Sequence, residues 1–273
     1  MPLDGVFLHH LRAELRAQLL GARVDKIHSP AKDEFVLHLR TRTERHKLLL
    51  CVNPARARVN ITTQDLENPA QPTMFCMLLR KHLTGARLAD IRQAENLDRI
   101  LYFDFDGTDM LGNPAKHTLC AELTGRRANL LLLGEDGTIL DAAKRVDYSQ
   151  STRALLPGIP YTPPPANNYT PPPITGRPER AESLSRQLEL CYQEKDQAQR
   201  AKQRVRELLK LCEARAQRAR RRTEAQRQEL AQAQNREHLR VCAELIFANR
   251  ARLENDPTAR GGTAYLLENY YKR

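Results

Sequence analysis

The sequence has no tryptophan, and aromatic residues make up only 5% of its 273 residues. No apolar run, the leucines at 130–133 included, approaches the ~20 residues that a bilayer-spanning helix needs. The start, Met1-Pro2-Leu3-Asp4-Gly5, shows no basic stretch followed by an apolar one, so the reading is a cytoplasmic protein without membrane contact. The six cysteines form no Cys-x-x-Cys pair, which excludes a zinc ribbon and argues against a redox motif. In a reducing compartment they read as small buried hydrophobes. The eight histidines lack metal-ligand spacing, so no metal and no cofactor are expected. Phosphate-cradling loops and a Gly-x-Ser-x-Gly elbow are also missing, and no enzymatic centre is expected.

What is present is positive charge. The formal net charge is +11, and residues 176–273 hold 22 Lys+Arg against 14 Asp+Glu. A field so concentrated in one third of a chain suggests a polyanionic partner. The chain also divides visibly. Nine of its sixteen prolines fall between Pro157 and Pro178, a stiff, extended connector over 157–178. Residues 179–256 then contain no Gly or Pro and are rich in Gln, Ala, Arg, Glu and Leu. That composition and length predict a long helix or two. Its apolar positions Ala198, Ala201, Val205, Leu208, Cys212, Ala216 and Ala219 form a narrow seam of coiled-coil type, which requires a partner helix. The pattern dissolves across 257–273.

Residues 1–156 read as α+β. Leu3, Phe7, Leu11, Leu15 and Leu19 recur at i+4 and predict a first helix to about Leu20, stopped by Gly21. A second helix is expected from about Pro72 to Leu83, closed by Gly85. Strands are expected near 23–27, 35–39, 47–52, 100–105, 117–123, 129–133 and 138–140, with Gly134-Glu135-Asp136-Gly137 as a hairpin loop. Many short strands with two helices suggest a mixed sheet or sandwich carrying helices.

Three polar groups stand out. Asp104, Asp106 and Asp109 around Gly107 are explained by a polar hairpin. Asp98-Arg99 precedes the strand at 100–105, where a turn and a surface charge would suffice. Arg80-Lys81-His82 ends the second helix, and cations there are favourable for dipole reasons alone.

The ordered set of motifs says more. Asp4-Gly5, Lys26-Ile27-His28-Ser29-Pro30, Asn68-Pro69, the helix at 75–83 and Asp98-Arg99-Ile100-Leu101 occur in sequence. Glu122-Leu123-Thr124-Gly125-Arg126-Arg127-Ala128-Asn129 and Leu156-Pro157-Gly158-Ile159-Pro160-Tyr161 follow. Together they resemble the NFACT family of ribosome quality-control proteins, through residues 1–165, and 183–273 is similar to that family's coiled-coil segment. The resemblance implies a glycosylase-N-terminal-like α+β domain followed by a coiled-coil helix. It further implies binding to large ribosomal subunits obstructed by peptidyl-tRNA, and recruitment of a tRNA that adds untemplated alanine to the stalled chain. Its tRNA-binding positions fall here on Asp4, Asp98 and Arg99. Its contact of the coiled coil with ribosomal RNA gives Arg215, Arg218, Arg221 and Arg222 a phosphate-binding role.

Two departures matter. The helix-hairpin-helix domain usual in the family is replaced by the proline-rich connector. The sequence also stops before a return helix, so the long helix is expected to self-associate or fray. A reduced relative that only docks on RNA is therefore the alternative reading. A glycosylase would need an acid beside Pro2, where Leu3 stands, and an adhesin role rests on an old fibronectin-binding label of some relatives.

Overall fold

A computed structural model describes residues 3–69, 71–109, 111–149, 151, 153–165, 183–255 and 267–268. The first helix, α1 (Gly5–Leu19), buries Phe7, Leu8, Leu11, Leu15 and Leu19 along one stripe. Nine strands follow with a second helix among them. β1 (Arg23–Ala31), β2 (Glu34–Arg40), β3 (Arg45–Cys51) and β4 (Arg58–Ile61) precede α2 (Met74–Leu83). After it come β5 (Arg87–Gln93), β6 (Ile100–Thr108), β7 (Pro114–Glu122), β8 (Asn129–Leu133) and β9 (Ile139–Ala142).

The strands form one sheet in the order β4-β3-β2-β1-β5-β6-β7-β8-β9, with every neighbouring pair antiparallel. β1 and β5 are joined by a single register pair, Arg23 with Arg87. That narrow seam separates a four-strand part from a five-strand part. One apolar cluster spans both, taking in Phe35, Leu37 and Leu48 from the first, Phe103, Leu119 and Leu130 from the second, and the buried stripes of α1 and α2. Lys144 ties the parts again, its ammonium donating to Val52 O at 2.5 Å and Ala128 O at 2.8 Å.

The α+β class is as expected, and the helices and seven of the strands lie where the apolar spacing places them. Two strands escape that reading for physical reasons. β5 carries a bulge between Leu88 and Asp90, which breaks the alternation of its buried residues Leu88 and Ile91. β4 is short, and its Arg58 and Asn60 are buried, so its polarity suggests a loop. The acidic hairpin turns at 109–113, where Asp109 accepts from the amides of Leu111 and Asn113, both at 2.8 Å, while Gly107 lies inside β6.

The long helix is continuous as α3 (Leu184–Ala248), followed by a short α4 (Arg250–Glu254). The chain separates into two compact units at 197/198, inside α3. The helix therefore begins as part of the first unit. Glu14 of α1 accepts from the Ser183 hydroxyl (2.8 Å) and from the amides of Leu184 (2.7 Å) and Ser185 (3.1 Å), so a carboxylate caps the positive end of α3. Leu184 and Leu188 enter the main core. Glu189 accepts from the Thr62 hydroxyl at 2.6 Å and the Thr63 amide at 3.0 Å.

Two turns further on, Asp196 accepts from Arg58 at 2.5 Å and from Arg56, which also donates to Glu34 at 3.0 Å. All four groups are at most 7% exposed. Beyond Gln197 the helix surface is exposed, including Val205 and Leu208 of the seam. The expected tail at 257–273 lies almost wholly outside the described residues, as does most of the proline-rich connector.

The cysteines divide. Cys51, Cys76 and Cys120 are buried, but Cys191 and Cys212, both on α3, are exposed. Burial pushes the Cys51 thiol up to about 11, with the Glu34 carboxylate beside it adding to the effect. At pH 8, a thiol reagent should modify Cys191 and Cys212 in the native protein and reach Cys51, Cys76 and Cys120 only after unfolding. Asp196→Ala should cost about 3–5 kcal/mol in denaturant unfolding, because it leaves the buried Arg58 guanidinium without a carboxylate and Arg56 with Glu34 alone. Amide exchange across 184–197 should rise with it.

Candidate nucleic-acid interface

Three segments distant in sequence meet at one end of the sheet. α1 begins there, capped by Asp4, whose carboxylate accepts from the Phe7 amide at 2.7 Å. The β5–β6 connection passes beside it as a short 3-10 turn, Glu95–Leu97, that leads into Asp98 and Arg99. The β7–β8 connection, the 3-10 turn Gly125–Arg127, lies next along the sheet. It is held to the second segment because Leu123 donates to Arg99 O at 2.8 Å and Ile100 pairs with Glu122.

Gln93 fixes the first two segments together. Its side-chain nitrogen donates to Gly5 O and to Asp98 O, both at 3.0 Å. The approach is close: a Cβ on Gly5 would sit 1.7 Å from Leu97 O. Only glycine fits there. Leu97 adopts φ +54, a left-handed conformation that a leucine reaches at a cost of order 1–3 kcal/mol. Gly125, at φ +64, takes the same backbone region without that cost.

The polar side chains at this end have few internal commitments. Asp98 accepts from the amide of its neighbour Arg99 at 2.7 Å. The guanidinium groups of Arg99, Arg126 and Arg127 make no hydrogen bond or ion pair among the described residues, and those of Arg126 and Arg127 are exposed. The strand ends beneath are rigid. Glu122, 1% exposed, accepts from Arg153 at 2.5 and 3.1 Å and from the Tyr161 hydroxyl at 2.9 Å. Burial, with Glu122 close by, raises the Tyr161 phenol and the Cys120 thiol far above their ordinary values. Both therefore stay protonated, and the phenol remains a donor to the carboxylate.

The structure thus brings together Asp4, Asp98 and Arg99, which lie more than ninety positions apart at the extremes. It adds Arg126 and Arg127, which single-residue reasoning did not select. Their signal was present, since both stand within a quoted motif and follow a glycine that suits a tight turn. Carboxylates and guanidinium groups so arranged can accept from base amines and fork onto phosphate oxygens. Asp4 has a structural duty as well, the helix cap. Pro2, which a glycosylase reading requires, lies outside the described residues. No group of three or more possible metal ligands occurs among the described residues, and no helix among them is long and apolar enough to cross a membrane.

In the second unit, Arg215, Arg218, Arg221 and Arg222 are exposed on the unbroken α3. At about 100° per residue the four occupy roughly a third of the circumference, over about 10 Å of axis. No acidic residue falls between Glu213 and Glu224.

Comparison with known proteins agrees with these motifs. The pattern of the NFACT N-terminal and middle domains matches residues 4–180 and 169–273. The Rqc2 homolog RqcH of Streptococcus suis is 31% identical over 345 aligned positions, covering 99% of this chain and 61% of that protein. At least 72 of those positions have no residue here. The Rqc2 homolog RqcH of Bacillus subtilis is 38% identical over 63% of this chain and 30% of its own length. The chain therefore spans less than two thirds of these relatives.

Among solved structures, the N-terminal domain of the fibronectin-binding protein PavA from Streptococcus pneumoniae superposes with a TM-score of 0.60 at 39% identity, covering 66% of this chain and 70% of that one. The N-terminal part of the fibronectin/fibrinogen-binding protein from Streptococcus suis gives 0.59 at 42%, covering 61% and 62%. With a family pattern that runs from residue 4 to the last residue, this chain belongs to the NFACT family.

Proposed function

We propose that this chain is a non-enzymatic, cytoplasmic RNA-binding factor of ribosome quality control. It binds large ribosomal subunits obstructed by peptidyl-tRNA and recruits a tRNA, alanyl in the family's manner, for untemplated extension of the stalled chain. Asp4, Asp98 and Arg99 hold the tRNA, with Arg126 and Arg127 adding phosphate contacts. Arg215, Arg218, Arg221 and Arg222 contact ribosomal RNA, chiefly through charge. No cofactor takes part.

The observation that carries this reading is the pair of hydrogen bonds that the Gln93 side chain donates to Gly5 O and Asp98 O. It holds a carboxylate–guanidinium constellation in place at considerable local strain, and no fold requirement accounts for the open Arg99 guanidinium. Relatives named as RqcH and as ribosome quality control complex subunit NEMF support the same biology. A narrower reading, docking on RNA without tailing, is favoured by the aligned positions that this chain lacks.

The Asp98→Ala/Arg99→Ala pair should abolish tRNA binding in a filter assay while moving the melting temperature by no more than a degree or two. A large stability loss would make the pair structural. Asp4→Ser keeps a helix cap and removes the charge, so it should weaken tRNA binding with stability nearly unchanged. Gly5→Ala should lower both, since the added methyl drives the 95–99 turn away. Co-sedimentation with large ribosomal subunits across a salt series, with sequencing of the pelleted RNA, separates the two readings. Subunits with one enriched tRNA support tailing, and subunits alone support docking.

A further inference from the structure

The far end of β5 carries a feature that the constellation at Gln93 does not use. Cross-strand register places Arg87 of β5 opposite Arg23 of β1, Arg23 opposite Arg40 of β2, and Arg40 opposite Arg45 of β3. Residues directly opposite in antiparallel strands project from the same face, so four arginines stand in one row. This face is the outer one, because the intervening Val24, Leu39 and Leu88 belong to the core. Two positions along β2 and β3, and three along β1 where a bulge intervenes after Val24, the next row sets Lys26 opposite His38 and His38 opposite Lys47. His28 lies on the same face, its ring centroid 4.7 Å from that of His38.

Like charges directly opposite in a sheet cost stability, and three consecutive Arg–Arg pairs are the reverse of what a fold selects for itself. Acids balance the face only in part. Arg40 donates to Asp25 at 3.0 Å, Lys47 pairs with Asp65, and Asp106 stands opposite Arg87. Arg23, Arg45 and Arg87 are exposed and make no ion pair among the described residues. Burial first, then the charges of Arg80 and Lys26, lower His28, while burial, His28, Lys47 and Lys26 lower His38, with Asp65 opposing.

We propose that this outer face of β5, β1, β2 and β3 is a second RNA-binding surface, one that grips a duplex phosphate backbone without reading sequence. At a strand spacing of about 4.8 Å the arginine row is about 14 Å long, with the Lys–His–Lys row about 7 Å away. A duplex nucleic acid carries a negative charge for every ~1.7 Å of axis, so several phosphates fall within reach of two such rows. Guanidinium groups fork onto phosphate oxygens. A lipid surface fits the chemistry less well. None of the exposed large apolar side chains belongs to these four strands, so nothing there could insert among acyl chains. The surface lies at the opposite end of β5 from Gln93, about 20 Å away at the rise of a strand. It goes beyond the tRNA site and does not depend on it.

The test uses the full chain and a mixed-sequence 20-base-pair RNA duplex, followed by fluorescence anisotropy across a KCl series. Arg23→Gln/Arg45→Gln should make the log–log salt dependence shallower by about 2 and weaken binding several-fold at low salt. Its melting temperature should stay level or rise as like-charge repulsion is relieved. Arg23→Lys/Arg45→Lys, which keeps the charge, should retain the parental slope. Asp98→Ala/Arg99→Ala should leave duplex binding unchanged even where it removes tRNA binding, so the two readings fail independently. An unchanged slope in the glutamine variant overturns the proposal. So does a loss of binding to phosphatidylserine vesicles with RNA binding intact.

Discussion

The contact on which the architecture depends is the buried ion cluster around Asp196. Its carboxylate takes hydrogen bonds from Arg58 and Arg56, and Arg56 also serves Glu34, all nearly sealed from water. Buried pairs of this kind add little net stability over an apolar equivalent, but losing one partner is severe. Their effect here is on placement. β4 is an edge strand, and edge strands expose unpaired backbone groups. Fastening the first turns of α3 through Glu14, Thr62, Thr63, Arg56 and Arg58 makes those turns part of the first unit, so the division of the chain falls inside a helix.

The candidate site shows the opposite economy of contacts. Its backbone is over-determined by Gln93, by the Gly5–Leu97 approach and by the Glu122–Arg153–Tyr161 network, whereas the guanidinium groups of Arg99, Arg126 and Arg127 are left open. Strain at Leu97 persists because those surroundings leave the turn no alternative. Rigid backbone beneath uncommitted charge suits recognition, since the geometry of the charged groups is set before a ligand arrives.

Positive charge appears in three places with different local physics. At the sheet end it comes from arginines in tight turns beside carboxylates. On the outer face it comes from register, as strands set like charges side by side. On α3 it comes from helical spacing without intervening acids. The formal charge of +11 foretells none of these arrangements, yet all three follow once chain positions are converted to places.

The sequence by itself determined the helices, most strands and the family motifs. Those rest on local periodicity, turn chemistry and order along the chain, which need no knowledge of what lies across the fold. Even the aspartates and arginine of the candidate site were nameable, though only through resemblance. Tertiary structure alone decided the rest. β4 was hidden because its Arg58 and Asn60 are buried, Arg58 against a helix more than a hundred residues away, so their polarity misleads. β5 was hidden by a bulge that shifts its alternation by one residue. Arg126 and Arg127 join Asp4 and Arg99, and four arginines align across β5, β1, β2 and β3, only because hydrogen-bond register brings distant segments side by side. Register is a relation between strands, and no single segment contains it.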